Sequence, residues 1–374
     1  MNSVEILGWG IHPFGRWPDK LPSDMVDLAV SRALERSRTD VSDIDVVYTG
    51  HTVPESGGGG AVAAALGIRG VPVLNVDQAC ASSATATVLA AMALAAGQYE
   101  TALVIGFEKM PRGFLRSSSP HGERERMLGL NLQPGRYALK ASRYLSAYGA
   151  PGALLAEVTV KSRRHAMANE NAHLRVETSA EEVLAAPMIS APLTRLQCCP
   201  TSDGAAAVVL KRRAPGASEK GPVIAGWSIG TITAEESCAA GVPESFTSRL
   251  AKEAYEHAGI GPEDMGVAQV HDAFSIAEPL RLEALGLVPE GDGLYWNKEG
   301  ATSLGGRMPT NTDGGLLSRG HPVGATGLAQ LIEVTRQLAG EAGDRQIRPR
   351  PSAGICQNLG GGENGGGVVL VLNR

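Results

Sequence analysis

Aromatic side chains are scarce in this chain. Phe, Trp and Tyr make up 4% of its 374 residues, so the core must be aliphatic and close-packed, with small residues where elements touch. One-sided charge is missing too. The formal net charge is −5 and no Lys/Arg face is sustained, clusters such as Arg163-Arg164-His165 being isolated. That excludes nucleic acid as a main partner. The longest apolar stretch, near Ala86 to Ala96, is too short to span a bilayer. The N-terminus shows no basic segment followed by an apolar one, and the C-terminal Leu372-Asn373-Arg374 is no peroxisomal address. Five cysteines (Cys80, Cys198, Cys199, Cys238 and Cys356) show neither CxxC spacing nor an even count. A disulfide framework or a zinc site is not expected. A reducing cytoplasm fits this usage, with one or two thiols kept for reactivity and no metal or permanently bound cofactor.

Glycine, by contrast, is abundant. The chain has 47, where ordinary usage gives about 26. With 43% apolar and 20% charged residues the composition suits a globular protein of two to three domains or one large duplicated one. Strands are expected at Val4–Gly8, Ile44–Tyr48, Val71–Val76 and Thr101–Phe107, and helices at Ser23–Ser37 and Ala81–Gly97, the latter apolar all round. This alternation predicts an α/β sheet. Regularity is lost between Glu108 and Pro192, which reads as an insertion with helical pieces at Ala138–Tyr148 and Leu154–Asn169. A strand at Ala205–Lys211 returns, and Lys211–Gly221 reads as a linker. The order then repeats weakly: strand Pro222–Ile229, helix Phe246–Gly259, strand Val267–Val270, helices Ser275–Leu285 and Ala325–Leu338, and paired strands at Ile355 and Val368–Leu372. An internal duplication is expected, although no repeat is visible in the sequence itself.

Asn311 to Gly327 reads NTDGGLLSRGHPVGATG and sets one histidine, His321, among five glycines and a proline. Glycine lets backbone approach a ligand closely, and Pro322 fixes the turn after the histidine. The segment reads as a loop built to hold one imidazole. Cys80, in NVDQACASSATA, sits between a strand and a long helix. The positive end of the helix dipole lowers a thiol's pKa and makes it a nucleophile, yet a buried structural cysteine also fits the position. His271 ends an apolar strand, where α/β ligands lie, but a satisfied core histidine or an Asp272 helix cap fits equally. Cys356 beside a glycine run is a second thiol for proton transfer or a strand cysteine. Side-chain alternation along a strand argues that Cys198 and Cys199 pack rather than react.

Together, Cys80, His271-Asp272-Ala273-Phe274, Gly320-His321-Pro322 and Cys356 resemble the motifs of the thiolases, most of all the sterol carrier protein type. KSRRHAMANENAHLR (161–175), PLTRLQCCPTSDGAAAVVL (192–210) and SRGHPVGATGLAQLIE (318–333) support the likeness, which runs in order over nearly the whole chain. The resemblance implies a duplicated α/β fold, layered αβαβα, with an inserted loop domain. Residues 1–108 plus 193–214 would form the N-terminal half, 109–192 a loop domain over the substrate, and 215–374 the C-terminal half.

The resemblance also implies a coenzyme A-dependent acyltransferase of lipid metabolism that cleaves or forms 3-ketoacyl-CoA. Cys80 would carry the acyl group, His321 would activate it, Cys356 would move a proton, and His271 would stabilise the thioester enolate oxygen. Backbone N–H groups of Cys80 and near Asn358 would form the second oxyanion hole. Arg163, Arg164 or His165 would touch the nucleotide end of coenzyme A. Relatives of the sterol carrier type often carry a cysteine where Ala273 stands and a histidine at Gln357, so the acid/base role falls to Cys356. Ser83, in place of a common glycine, would narrow the acyl pocket, and the tail Gly360–Gly367, with Glu363 and Asn364, is unusually glycine-rich. A homodimer is expected. The alternative is a thiolase-like lyase or acyltransferase subunit working with a small OB-fold acyl-CoA-binding partner.

Overall fold

The computed structural model describes residues 3–52, 58–111, 113, 122–127, 132–213, 221–238, 244–361 and 366–374. Its elements run β1 (Ser3–Gly15), α1 (Pro22–Ser37), β2 (Val46–Gly50), α2 (Gly58–Ala65), β3 (Val73–Val76), α3 (Ser82–Ala95) and β4 (Thr101–Glu108). The insertion holds α4 (Gly122–Met127), α5 (Gln133–Tyr148), α6 (Leu154–Met167), α7 (Ala180–Ala185), β5 (Met188–Ser190) and β6 (Leu193–Thr194), and β7 (Asp203–Arg213) returns to the sheet. There follow β8 (Val223–Thr231), α8 (Ala234–Cys238), α9 (Ser245–Ala258), β9 (Ala268–Gln269), α10 (Ala277–Ala284), α11 (Gly293–Lys298), α12 (Gly315–Ser318), α13 (Thr326–Ala339), β10 (Ala353–Leu359) and β11 (Gly366–Asn373).

Nine strands form one sheet in the order β3-β2-β4-β7-β1-β8-β11-β10-β9. The duplication absent from the sequence is plain here. Outward from the β1–β8 junction, each side runs through an antiparallel neighbour (β7 or β11), then a strand antiparallel to that (β4 or β10), then a parallel one (β2 or β9). Strand alternation sorts the apolar residues into layers. On β7, Ala206, Val208 and Leu210 join the central core with α3 and α13, while Ala205, Ala207 and Val209 face α1 and α2. On β11, Val368, Leu370 and Leu372 face the centre, while Val369 and Val371 face α9 and α10. α3 and α13 are thus covered by both halves of the one sheet, while α1 and α2 pack outside one half and α9 and α10 outside the other.

The structure departs from expectation in specific places. β1 is 13 residues long, more than twice its predicted length, because its small residues let α1 pack closely along it. α2, which is not among the expected helices, starts inside a glycine run. Residues 211–213 of the predicted linker continue β7, while 214–220 lie outside the described residues, as do Glu363 and Asn364.

Candidate active site

Cys80 sits in the turn that joins β3 to α3. Ala79, just before it, takes a left-handed backbone with φ 49°, a conformation strained for a side-chain-bearing residue. The turn is held by Ala81 N–H to Gln78 O at 3.0 Å, Ser82 N–H to Ala79 O at 3.0 Å, and Ser82 Oγ, which donates to Ala79 O at 2.6 Å and accepts from Gln78 N–H at 2.9 Å. The sulfur faces His321 Nε2 at 3.3 Å.

The loop that carries His321 is fastened on several sides. Glu108 Oε2, at the end of β4, accepts from Thr52 N–H and Oγ1 at 3.0 and 2.8 Å and from Gly324 N–H at 3.1 Å. Ser202 Oγ accepts from His321 N–H at 3.2 Å. Asp272 Oδ1 accepts from Leu316 N–H at 2.7 Å and tethers α12. Glycine is required where the chain squeezes through: at Gly324 a Cβ would lie 2.4 Å from Phe107 O and 2.6 Å from Gly50 O, and Gly320 takes φ +108°.

The imidazole's tautomer follows from its second partner. Thr326 Oγ1 donates to Pro322 O at 2.8 Å, so it accepts from His321 Nδ1–H at 2.7 Å. Nε2 therefore presents its lone pair to the thiol. Burial, with His271 and Arg319 nearby, holds the His321 imidazole well below its ordinary pKa. The ring of His271 meets that of His321 edge-on, with centroids 5.3 Å apart. Burial and Arg319 bring His271 down to about 3, so it is neutral. Its backbone N–H donates to Gln357 Oε1 at 3.2 Å, and its ring Nδ1 is buried without a partner.

Helix-dipole activation of Cys80 is corrected by these surroundings. Cys80 lies two residues ahead of α3, and burial, with Glu108 opposing a negative charge, pushes its thiol up to about 12 despite the Gly361 N–H that points at it. A free thiolate there at pH 7 costs on the order of 7 kcal/mol. The resting pair is neutral thiol and neutral imidazole, and sulfur gains nucleophilicity as its proton passes to His321.

Cys80, His271 and His321 open onto a cavity of about 320 Å³. Its walls are mostly apolar, with Met110, Pro134, Tyr137, Phe274, Val323 and Leu359, and Asp77 and Gln133 among the polar residues. Tyr137 stacks on Phe274 at 4.4 Å. The insertion supplies part of this wall, through Met110, Gln133, Pro134 and Tyr137.

Several other candidate residues lie outside this cavity. Cys356 does not line the cavity. It pairs with Leu370, and strand alternation turns both into the central core beside α3 and α13. Gln357, one residue on, reaches the site instead, through His271 N–H. Asn358 pairs with Val368 in the ladder and gives its side-chain amide to Gln330 Oε1 at 2.6 Å, while Gly361 supplies the backbone N–H at the sulfur. Arg163, Arg164 and His165 line no part of the cavity. α6 is buried nearly all round: His165 Nδ1 meets Asn311 O at 3.0 Å, Lys161 pairs with buried Glu278, and Arg164 faces outward. Ser83 accepts from Leu328 N–H at 3.1 Å and ties α3 to α13 without touching the cavity. Cys198 and Cys199 both line it. They lie in an irregular segment where strand alternation does not apply, and Cys199 N–H donates to Ala273 O at 2.9 Å. Their adjacency in sequence gave no signal of this, nor did anything mark Thr326 or Glu108.

Residues 10–214 match the family description "Thiolase, N-terminal domain", and residues 236–374 match "Thiolase C-terminal domain-like". Sterol carrier protein 2 of Homo sapiens is 35% identical over 100% of this chain and 72% of its own length. The benzoylsuccinyl-CoA thiolase subunit BbsB of Thauera aromatica is 34% identical over 96% of this chain and 95% of its own. An acetyl-CoA acetyltransferase of Methanothermobacter thermautotrophicus is 33% identical over the full length of both. Among solved structures, an Ltp2-ChsH2(DUF35) aldolase superposes with a TM-score of 0.85 at 23% identity, covering 100% of this chain and 98% of that one. Human mitochondrial 3-ketoacyl-CoA thiolase superposes at 0.75 with 15% identity, covering 100% and 99%.

Proposed function

The chain belongs to the thiolase family, and on that footing we propose that it is a coenzyme A-dependent acyltransferase that makes or breaks the carbon–carbon bond of a 3-ketoacyl thioester through an acyl group held on Cys80. One observation carries the reading: Cys80 Sγ faces the unprotonated Nε2 of His321 at 3.3 Å, at the floor of a mostly apolar cavity. As sulfur attacks the thioester carbonyl, His321 takes its proton and the coenzyme A thiolate leaves. In the second half, a base removes a proton from the acidic carbon or from the incoming thiol. His271 faces the same space and donates from its pocket-side nitrogen to the developing oxyanion. Cys199 is the pocket thiol available to carry the second proton: burial keeps it protonated, and no side-chain hydrogen bond among the described residues holds it. Coenzyme A is substrate here, and no resident cofactor is needed for these steps.

The division into 1–108 plus 193–214, 109–192 and 215–374 is kept, supported by family matches that part between residues 214 and 236. A homodimer and a cytoplasmic place belong to the same reading, and no helix among the described residues is long and apolar enough to cross a membrane. A second reading is favoured by two likenesses, to a thiolase subunit and to an aldolase named with two components. In it the chain works with a small OB-fold protein that delivers acyl-CoA. Full turnover by the isolated chain would remove the need for such a partner.

Incubation with a panel of acyl-CoA thioesters followed by intact-mass spectrometry tests the main reading. An acyl adduct on Cys80, absent from Cys80→Ala, is the expected result. An unmodified Cys80 across short aliphatic, aromatic and steroid-chain thioesters sinks it.

A further inference from the structure

Among the described residues, one set of three His, Cys or acidic side chains converges closely enough to ligate a single ion: Cys80, His271 and His321. We propose that the cavity floor is a binding site for a thiophilic divalent cation of the zinc class, held by these three side chains with a fourth position open to the cavity. The inference needs only this geometry and does not rest on acyl transfer.

The donor atoms all lie within 4.8 Å of one another, and the Cys80–His321 pair is already at 3.3 Å. A tetrahedral zinc with Zn–S of about 2.3 Å and Zn–N of about 2.0–2.1 Å has ligand–ligand edges of roughly 3.3–3.6 Å. The Cys80–His321 edge is therefore within about 0.3 Å of the sulfur–nitrogen edge such a zinc needs, and chiefly the edges to His271 must close. His271 is free to supply that movement, because its buried Nδ1 has no partner and turning the ring breaks no hydrogen bond. His321 is fixed in the manner common to metal-bound histidines, with Nδ1–H given to Thr326 and Nε2 facing the ion. One thiolate and two imidazoles suit zinc, cadmium or cobalt and reject magnesium and calcium. Both rings sit unprotonated, so the only proton displaced is that of the Cys80 thiol, which leaves to solvent as the sulfur–metal bond forms. Nothing is oxidised or reduced. The same sulfur cannot hold an acyl group and an ion at once, so the cation acts as a reversible lock on the nucleophile.

The reduced full-length chain in metal-free buffer is titrated with Co²⁺ and then Zn²⁺. We expect one Co²⁺ per chain, a thiolate-to-cobalt charge-transfer band, displacement by Zn²⁺, and release of about one proton in calorimetry across buffers of different ionisation heat. Alkylating Cys80 with iodoacetamide, confirmed by peptide mass, leaves the sequence unmutated and should abolish the band. His271→Ala should bind at least tenfold more weakly. The proposal is overturned by the absence of binding, by a band that survives Cys80 alkylation, or by a His271→Ala protein that binds as tightly as wild type. A chain that forms the acyl adduct yet binds no cobalt removes this inference and leaves acyl transfer standing.

Discussion

At the scale of single residues, the thiol–imidazole pair works because each member is kept neutral until it reacts. Thr326 is what aims it. Its hydroxyl is committed to Pro322 O, so it can only accept from His321 Nδ1. Thr326→Val should keep the fold and lower kcat about 10- to 100-fold with little change in KM, as expected when a base loses its orienting partner. Because burial holds His321 well below its ordinary pKa and Cys80 up at about 12, neither titrates near neutrality. The acylation rate should be flat from pH 6 to 8, with its acid limb below that range. A limb centred near the ordinary histidine value would mean that His321 is solvated. The cysteines separate in the same way. Cys199→Ala should leave adduct formation on Cys80 intact while slowing turnover by about 10²–10³. Cys356→Ala should leave both intact and cost about 1 kcal/mol of stability for the small cavity it creates. Equal turnover by wild type and Cys199→Ala would return the second proton to another group.

Elements set where these residues meet. The β3–α3 turn delivers the sulfur, the 311–327 segment delivers the imidazole, and Glu108 at the end of β4 ties that segment to Thr52 just after β2. The fit at Gly324 is backbone against backbone, with Phe107 O and Gly50 O as its neighbours. Neither can yield as a flexible side chain would. Gly324→Ala should therefore destabilise the protein by about 3 kcal/mol, and the displaced loop should lower acylation of Cys80 as well. Urea denaturation and adduct mass together check this. Much at this scale was legible in sequence. The glycine-proline pattern around His321 announced a loop built to aim it, and the continuous apolar runs at 205–210 and 368–372 announced β7 and β11. α2 was not legible, because its glycine-rich start offers a side-chain pattern to neither helix nor loop, and tertiary cover from β2 and β3 decides its state.

Across the whole molecule, burial of neutral histidines makes stability depend on pH. His165 is brought down to about 4 and His271 to about 3, chiefly by burial, and His321 also falls well below its ordinary value. Unfolded histidines protonate near 6.5, so below that pH the unfolded chain binds protons that the folded chain refuses. Stability is therefore complete above pH 6.5 and is lost as pH falls toward the folded values. At pH 5 His165 and His271 each cost about 2 kcal/mol, and His321 acts in the same direction. Denaturation midpoints measured at pH 7 and pH 5 should show a marked fall, and equal midpoints would place these rings in water. The duplication also belongs to this scale. It is seen in mirrored strand order about the β1–β8 junction and nowhere in residue identity, since sheet topology needs only the right pattern of apolar positions.

The sequence by itself determined the chemistry available: a thiol ahead of a helix, two histidines at strand and loop ends, an aliphatic core and an order of motifs that belongs to one family. Those depend on residue type and local spacing, which a chain carries before it folds. Tertiary structure alone decided which groups share the cavity. Cys356 and Gln357 are neighbours in the chain, yet strand alternation sends one into the core and the other to His271. Cys199 arrives beside the reacting atoms from a distant segment. Proximity between such segments, and the loss of water that sets each pKa, are fixed by packing, which no single stretch of sequence contains.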